Sequence, residues 1–154
     1  FRRVLFRSTE NIPGIIATGL ACKLPRQARV AHVQKIQEQM WTGLKSRIKG
    51  IRLNGPEPGV SRLPNSINIS FTGLEGEGLA LALDMRGFLI TSGQACATKA
   101  SKVPAVLAEL GVAEEFGAGT VILSFDLENT ASEVDRFLEL LPTVVEKLRA
   151  LSAD

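Results

Sequence analysis

Ser66-Ile67-Asn68-Ile69-Ser70-Phe71 alternates polar and apolar side chains through six residues. Successive side chains of a strand point to opposite faces, so this pattern predicts a strand with one face buried and one polar. Its neighbours read in the same terms. Ile51-Arg52-Leu53-Asn54 predicts a short strand, and Gly55-Pro56-Glu57-Pro58-Gly59 a loop. Glu75 to Met85 reads as a helix with Leu79 and Leu83 inward, stopped by Gly87. Phe88 to Thr91 predicts a strand, Val103 to Leu110 a short helix closed by Gly111, and Thr120 to Phe125 another strand. Thr130 or Ser132 caps a last helix, with Glu133 early in it. Along that helix Val134, Phe137, Leu138, Leu141, Val144, Val145 and Leu148 fall on one face.

Towards the N-terminus, Asn11-Ile12-Pro13-Gly14 opens a helical run from Ile15 to Lys23, with Pro13 suited to a first turn. Pro25 interrupts it. A second run extends from Arg26 to about Lys49 and ends at Gly50. Its apolar residues Val30, Val33, Ile36, Met40 or Trp41, Leu44 and Ile48 recur at steps of three and four, which marks one buried stripe. Both N-terminal stripes call for another surface to cover them. The element order after these helices implies an α+β fold, a small mostly antiparallel sheet with helices on one face.

The chain has 154 residues, 45% hydrophobic and 22% charged, which suits a folded globular chain. No stretch approaches the run of apolar residues that a membrane-spanning helix needs. The net charge of +2 is carried by Phe1 to Ser8, whose Arg2, Arg3 and Arg7 face no acid. Without those three arginines, 15 basic residues stand against 16 acidic ones. No basic stripe remains, so neither a nucleic-acid nor a membrane partner is expected. Residues 1–8 read as a non-native leader, the translation of a sequencing adapter, with native sequence from Thr9. Two cysteines, Cys22 and Cys96, make neither a disulfide framework nor a metal pattern, and a reducing, cytoplasmic setting is expected.

Cys96 is the residue with the most chemical content. It lies in Leu89-Ile90-Thr91-Ser92-Gly93-Gln94-Ala95-Cys96-Ala97-Thr98-Lys99, where an apolar run gives way at Ser-Gly to a polar, lysine-bearing segment. Cations near a thiol favour the reactive thiolate. Local composition leaves two readings open, a nucleophile and a small apolar residue at a strand end. Cys22, among Leu20, Ala21 and Leu24, reads as a core or interface thiol. His32, the sole histidine, reads as a solvated surface residue, and Trp41 as packing. No Cys-His or Ser-His-Asp spacing is present, and no metal site is expected.

Several ordered segments resemble cysteine desulfurases. Thr9-Glu10-Asn11-Ile12-Pro13-Gly14 is similar to their Gly-Thr-Glu-Asn-Ile-Pro-Gly stretch. Arg62-Leu63-Pro64-Asn65-Ser66-Ile67-Asn68-Ile69-Ser70-Phe71 resembles Arg-Leu-Pro-Asn-Thr-Leu-Asn-Ile-Ser-Phe. Thr91-Ser92-Gly93-Gln94-Ala95-Cys96 resembles the Ser-Ser-Gly-Ser-Ala-Cys segment that bears the sulfur-accepting cysteine in the long-loop subclass. Glu75-Gly76-Glu77, Leu81-Ala82-Leu83-Asp84, Val103-Pro104-Ala105-Val106-Leu107 and Ser132-Glu133-Val134-Asp135 follow in order.

The resemblance implies the C-terminal small domain of a fold-type I, pyridoxal-phosphate enzyme of the class V aminotransferase family. Residues 9–50 would then link to a large domain outside the chain, and 51–154 would form the C-terminal α+β domain. It further implies L-cysteine as substrate, a persulfide on Cys96, release of alanine, and a sulfur-acceptor protein such as an iron–sulfur scaffold or a tRNA-thiolation partner. A homodimer is implied as well, with Thr9 helping to hold the cofactor phosphate and the anchoring lysine lying upstream. Two positions depart from the family. Ser8 stands where the family has glycine. Ile122, in Gly119-Thr120-Val121-Ile122-Leu123-Ser124-Phe125-Asp126, stands where the family's Gly-Ser-Ile-Arg-Phe-Ser-Leu-Gly has the arginine that pairs with the substrate carboxylate. A related enzyme with another substrate and a non-catalytic dimerisation domain are the alternative readings.

Overall fold

The computed structural model describes residues 10–23, 27–93, 103 and 105–152. Two helices come first, α1 (Ile12–Ala21) and α2 (Gln27–Arg47). There follow β1 (Ile51–Asn54), β2 (Ser66–Phe71), α3 (Gly76–Asp84), β3 (Thr91–Ser92), α4 (Ala105–Glu109), α5 (Glu114–Gly117), β4 (Thr120–Ser124) and α6 (Ala131–Ser152). The strands lie in the order β1-β2-β4-β3, and each pairing is antiparallel. The expected α+β architecture is present.

Strand alternation sorts the sheet into two chemically different faces. Ile67, Ile69 and Phe71 of β2 and Val121 and Leu123 of β4 are buried in one core with Leu44 of α2, Leu79 and Leu83 of α3, and Phe137, Leu138 and Leu141 of α6. Burying side chains of this size stabilises the fold by about 1.5–3 kcal/mol each. The stripe of α2 is therefore covered within the chain, by the sheet and α6. Met40 and Trp41 are both buried, whereas Val30 is 44% exposed. The stripe of α1 is not covered: no residue of that helix is buried. The helix also begins at Ile12, before the expected Ile15, because the Asn11 side chain accepts from the Gly14 N–H and Pro13 fits the first turn.

One expectation about the strands fails for a physical reason. Phe88 to Ile90 does not pair with β4, and only Thr91 and Ser92 do. The Phe88 N–H is held by the Leu83 carbonyl, and its ring meets Phe137 edge-on at 5.3 Å between centroids. These contacts draw the segment towards α6, leaving a cavity of about 90 Å³ between Phe88–Ile90 and the end of β4. The single turn of α5 is too short to show periodicity and was not expected.

The last helix begins as a capping box. The Glu133 N–H donates to Thr130 Oγ1 at 3.3 Å, and the Thr130 N–H donates to Glu133 Oε2 at 2.8 Å. Thr130, not Ser132, is thus the cap. At the far end Arg149 donates to the carbonyls of Lys49, Gly50 and Thr72, tying α6 to the turn between α2 and β1.

Candidate active site

The second face of the sheet is polar. Register sets Asn54, Asn68, Ile122 and Thr91 side by side across the four strands. One step along, Arg52, Ser70 and Thr120 form the next row. Arg52 reaches away to the carbonyls of Leu110 and Gly111.

A buried chain of hydrogen bonds links the two rows. Asn54 Nδ2 donates to Asn68 Oδ1 and to Ser70 Oγ, each at 2.8 Å. Ser70 Oγ lies 2.7 Å from Thr120 Oγ1. Thr120 Oγ1 is 3.1 Å from the Gly117 carbonyl and 3.3 Å from that of Phe116. With Asn54 as the fixed donor, the protons run in one direction: Ser70 to Thr120, and Thr120 to the carbonyls of α5. Ser70 and Thr120 are fully buried. The Asn54 Oδ1 atom has no partner among the described residues.

β3 leaves the sheet beside this chain. The Gly93 N–H donates to the Thr120 carbonyl at 2.7 Å. Cys96 follows Gly93 by three positions. Cys96 itself, like Thr9, lies outside the described residues. Ile122 is half-buried, with Asn68 and Thr91 across the strands and Thr120 and Ser124 along its own. None of these four neighbours carries a charge.

The remaining sequence candidates are placed as follows. Cys22 is exposed at the end of α1, not buried in the core as one reading of its surroundings had it. His32 is half-buried rather than solvated, because Nε2 lies 2.9 Å from the Asn129 carbonyl and joins α2 to the turn before α6. Trp41 packs in the core and donates from Nε1 to Glu57, whose carboxylate also pairs with Lys45 at 3.7 Å. Arg62 donates to the carbonyls of Asn54 and Pro56. Its partial burial lowers its pKa from the ordinary value, against the opposing pull of Glu57. Among the described residues, no three His, Cys, Asp or Glu side chains gather as a metal site, and no helix is long and apolar enough to cross a membrane.

Sequence reasoning missed the Asn54–Ser70–Thr120 chain. Alternation placed Ser70 on the polar face but gave no sign that α5 covers it.

Comparison with known proteins agrees with the motifs. The family model for aminotransferase class-V matches residues 3–137. The chain is 36% identical over 148 residues to a protein of Clostridium botulinum named cysteine desulfurase IscS, covering 94% of this chain and 37% of that one. It is 34% identical over 148 residues to cysteine desulfurase IscS 1 of Archaeoglobus fulgidus, covering 94% and 38%. A solved NifS-like protein superposes with a TM-score of 0.72 at 25% identity, over 92% of this chain and 35% of that one. A NifS-like protein from Rickettsia africae gives 0.75 at 23% identity, over 90% and 36%, which supports the fold. The chain thus spans about 37% of the length of the curated relatives it matches. With most of its residues inside the family model, the chain belongs to the aminotransferase class-V family.

Proposed function

We propose that this chain is part of a pyridoxal-phosphate-dependent cysteine desulfurase in which Cys96 accepts the sulfur of L-cysteine. The observation that carries the reading is the alignment of 94% of the chain with relatives named cysteine desulfurase. The Thr91–Cys96 motif supports it, because its first residue, Thr91, ends the polar row at the edge of the sheet. In the reaction the substrate sulfur leaves carbon and bonds to Cys96 Sγ. The carbon takes up a proton, alanine departs, and a persulfide remains on the chain. The persulfide sulfur then passes to an acceptor, such as an iron–sulfur scaffold protein or a tRNA-thiolation partner.

Pyridoxal phosphate, when bound, supplies the electron sink. The described residues do not make its site. The polar face around Ile122 offers amides and hydroxyls but no lysine for the aldehyde and no cation for the phosphate. On this reading the anchoring lysine belongs to chain outside the 154 residues. Thr9 contributes to the phosphate, the enzyme is a homodimer, and it works in the cytoplasm.

The test uses the complete protein that contains this chain, given the cofactor and L-cysteine. Alanine release should be abolished by Cys96→Ser, and mass spectrometry should find the persulfide on Cys96. Alanine release that survives the substitution would remove Cys96 from the reaction.

A second reading rests on Ile122. A hydrocarbon side chain among four uncharged neighbours cannot pair with a substrate carboxylate. A related pyridoxal-phosphate enzyme acting on another substrate would show weak turnover of L-cysteine and faster turnover of an analogue lacking that carboxylate. Complete inactivity of the full protein towards amino-acid thiols and their analogues would instead favour a non-catalytic dimerisation domain.

A further inference from the structure

Every residue of α1 except Gly14 is exposed, and the helix carries no charged side chain on any face. By the 3.6-residue repeat, Ile12, Ile15, Ile16 and Leu20 fall on one side, and Gly14, Ala17, Thr18 and Ala21 on the other. The first side is bulky and apolar. The second is small, so another backbone can approach it closely. Its one hydroxyl is already satisfied, because Thr18 Oγ1 donates to the Gly14 carbonyl at 2.8 Å. Neither side needs water.

A helix that is apolar all round is an inner helix. α1 has ten residues, two of them glycine, and helices this short are marginal in water without packing. What covers it must reach both sides. None of the described elements does, since no residue of α1 is buried. A second copy of α1 would cover one side of each helix and leave the other bare. A bilayer fails on length, because ten residues rise about 15 Å and a hydrocarbon core is about 30 Å thick. A membrane surface fails as well, since α1 has no polar face to turn to water.

We infer that α1 is a buried helix of the complete protein, enclosed on both sides by the part of the same polypeptide that lies outside these 154 residues. The curated relatives carry the greater part of their length outside the region matched. Elements adjacent in sequence usually pack together, which favours cover from the same polypeptide over cover from a second copy. The body formed by α2 to α6 has its own core, in which α1 takes no part. α1 is thus the helix by which this body is fastened to the rest of the molecule. The inference needs neither Cys96 nor the cofactor, so it can fail while the proposed reaction stands, and the reverse.

The experiment uses the complete protein that contains this chain. Hydrogen exchange of the unmodified protein should find the amides from Ile16 to Ala21 slowed by about 100-fold or more relative to an unstructured peptide. A diazirine-bearing side chain is then placed at position 16, on the bulky side, or at position 18, on the small side. Irradiation of either variant should give a product of monomer mass on a denaturing gel, with the attached peptide mapping outside the 154 residues.

Slowing of less than about 100-fold overturns the inference, because a helix enclosed on both sides opens only with its surroundings. A product of doubled mass from either position overturns it as well and assigns the cover to a second copy. Attachment to α2 or α6 overturns it by showing that the helix folds back on its own body. The exchange measurement needs no substitution, so it decides even where a diazirine variant fails to fold.

Discussion

Gly43 of α2 lies directly against Leu138 of α6: a Cβ on Gly43 would sit 2.2 Å from Leu138 Cδ1 and 3.1 Å from its Cγ. The two longest helices meet at this point, and Leu138 is buried. Gly43→Ala gains about 1 kcal/mol of helix propensity. Overpacking a core costs about 1–3 kcal/mol. The clash reaches the branch point of the leucine, so the second effect wins, and the variant should lose about 1 kcal/mol in chemical denaturation. Adding Leu138→Val makes room and should return most of that loss. A Gly43→Ala protein more stable than the parent would show that the helices part without cost.

The buried hydroxyl pair makes a second prediction. Ser70→Ala leaves Asn54 and Thr120 short of a partner and should destabilise the fold by about 1–3 kcal/mol. Thr120→Val should do the same. Because each change already breaks the shared bond, the double variant should cost less than the sum of the two. Additive losses in a double-mutant cycle would mean that the hydroxyls do not act on each other.

Glu133 gives the fold a component of acid sensitivity. Its pKa is lowered from the ordinary 4.5, chiefly by the Thr130 backbone N–H and further by the Thr130 and Asn129 side chains and Arg136. A group whose folded-state pKa is depressed contributes fully above its unfolded value and loses that contribution as pH falls through the folded one. Thermal stability should therefore drop below pH 4.5 partly through this side chain. Glu133→Gln keeps a cap-forming amide without the titration. Its melting temperature should fall less steeply than the parent's over that acid range. Parallel curves would assign the acid sensitivity elsewhere.

Ile12, Ile15, Ile16 and Leu20 of α1 are each more than half exposed. Apolar surface on this scale promotes association when nothing covers it. The 154-residue chain alone should elute larger than a monomer in size-exclusion chromatography, and Ile12→Lys with Ile16→Lys should shift it towards monomer. The same preparation should show no absorbance from a cofactor imine. Monomeric behaviour of the unmodified chain would contradict the first expectation, and a yellow product the second.

Periodicity made much of this fold legible. β1, β2, α3 and α6 follow from alternation or a three-four stripe, and Thr130 with Glu133 announces the start of α6. The same signal misled at Phe88–Ile90, because an apolar run does not say whether its partner is a strand or a helix. There the Leu83 carbonyl and the Phe137 ring decided. Ser70 reads as a polar-face residue and Thr120 only as the start of a strand, and the tertiary placement of the α5 carbonyls is what buries both. Local composition singles out Cys96 without deciding between its two readings, and the role proposed for it, like that for Thr9, rests on motif likeness.

β3 contributes two residues to the sheet, and it stands at the edge. The central pair, β2 with β4, holds its register without it. Lineages can therefore lengthen or shorten the peptide between Ser92 and Ala105 by insertion or deletion with little disturbance to the inner ladder. Divergence in sequence and length has, in this architecture, a place to accumulate at small thermodynamic cost.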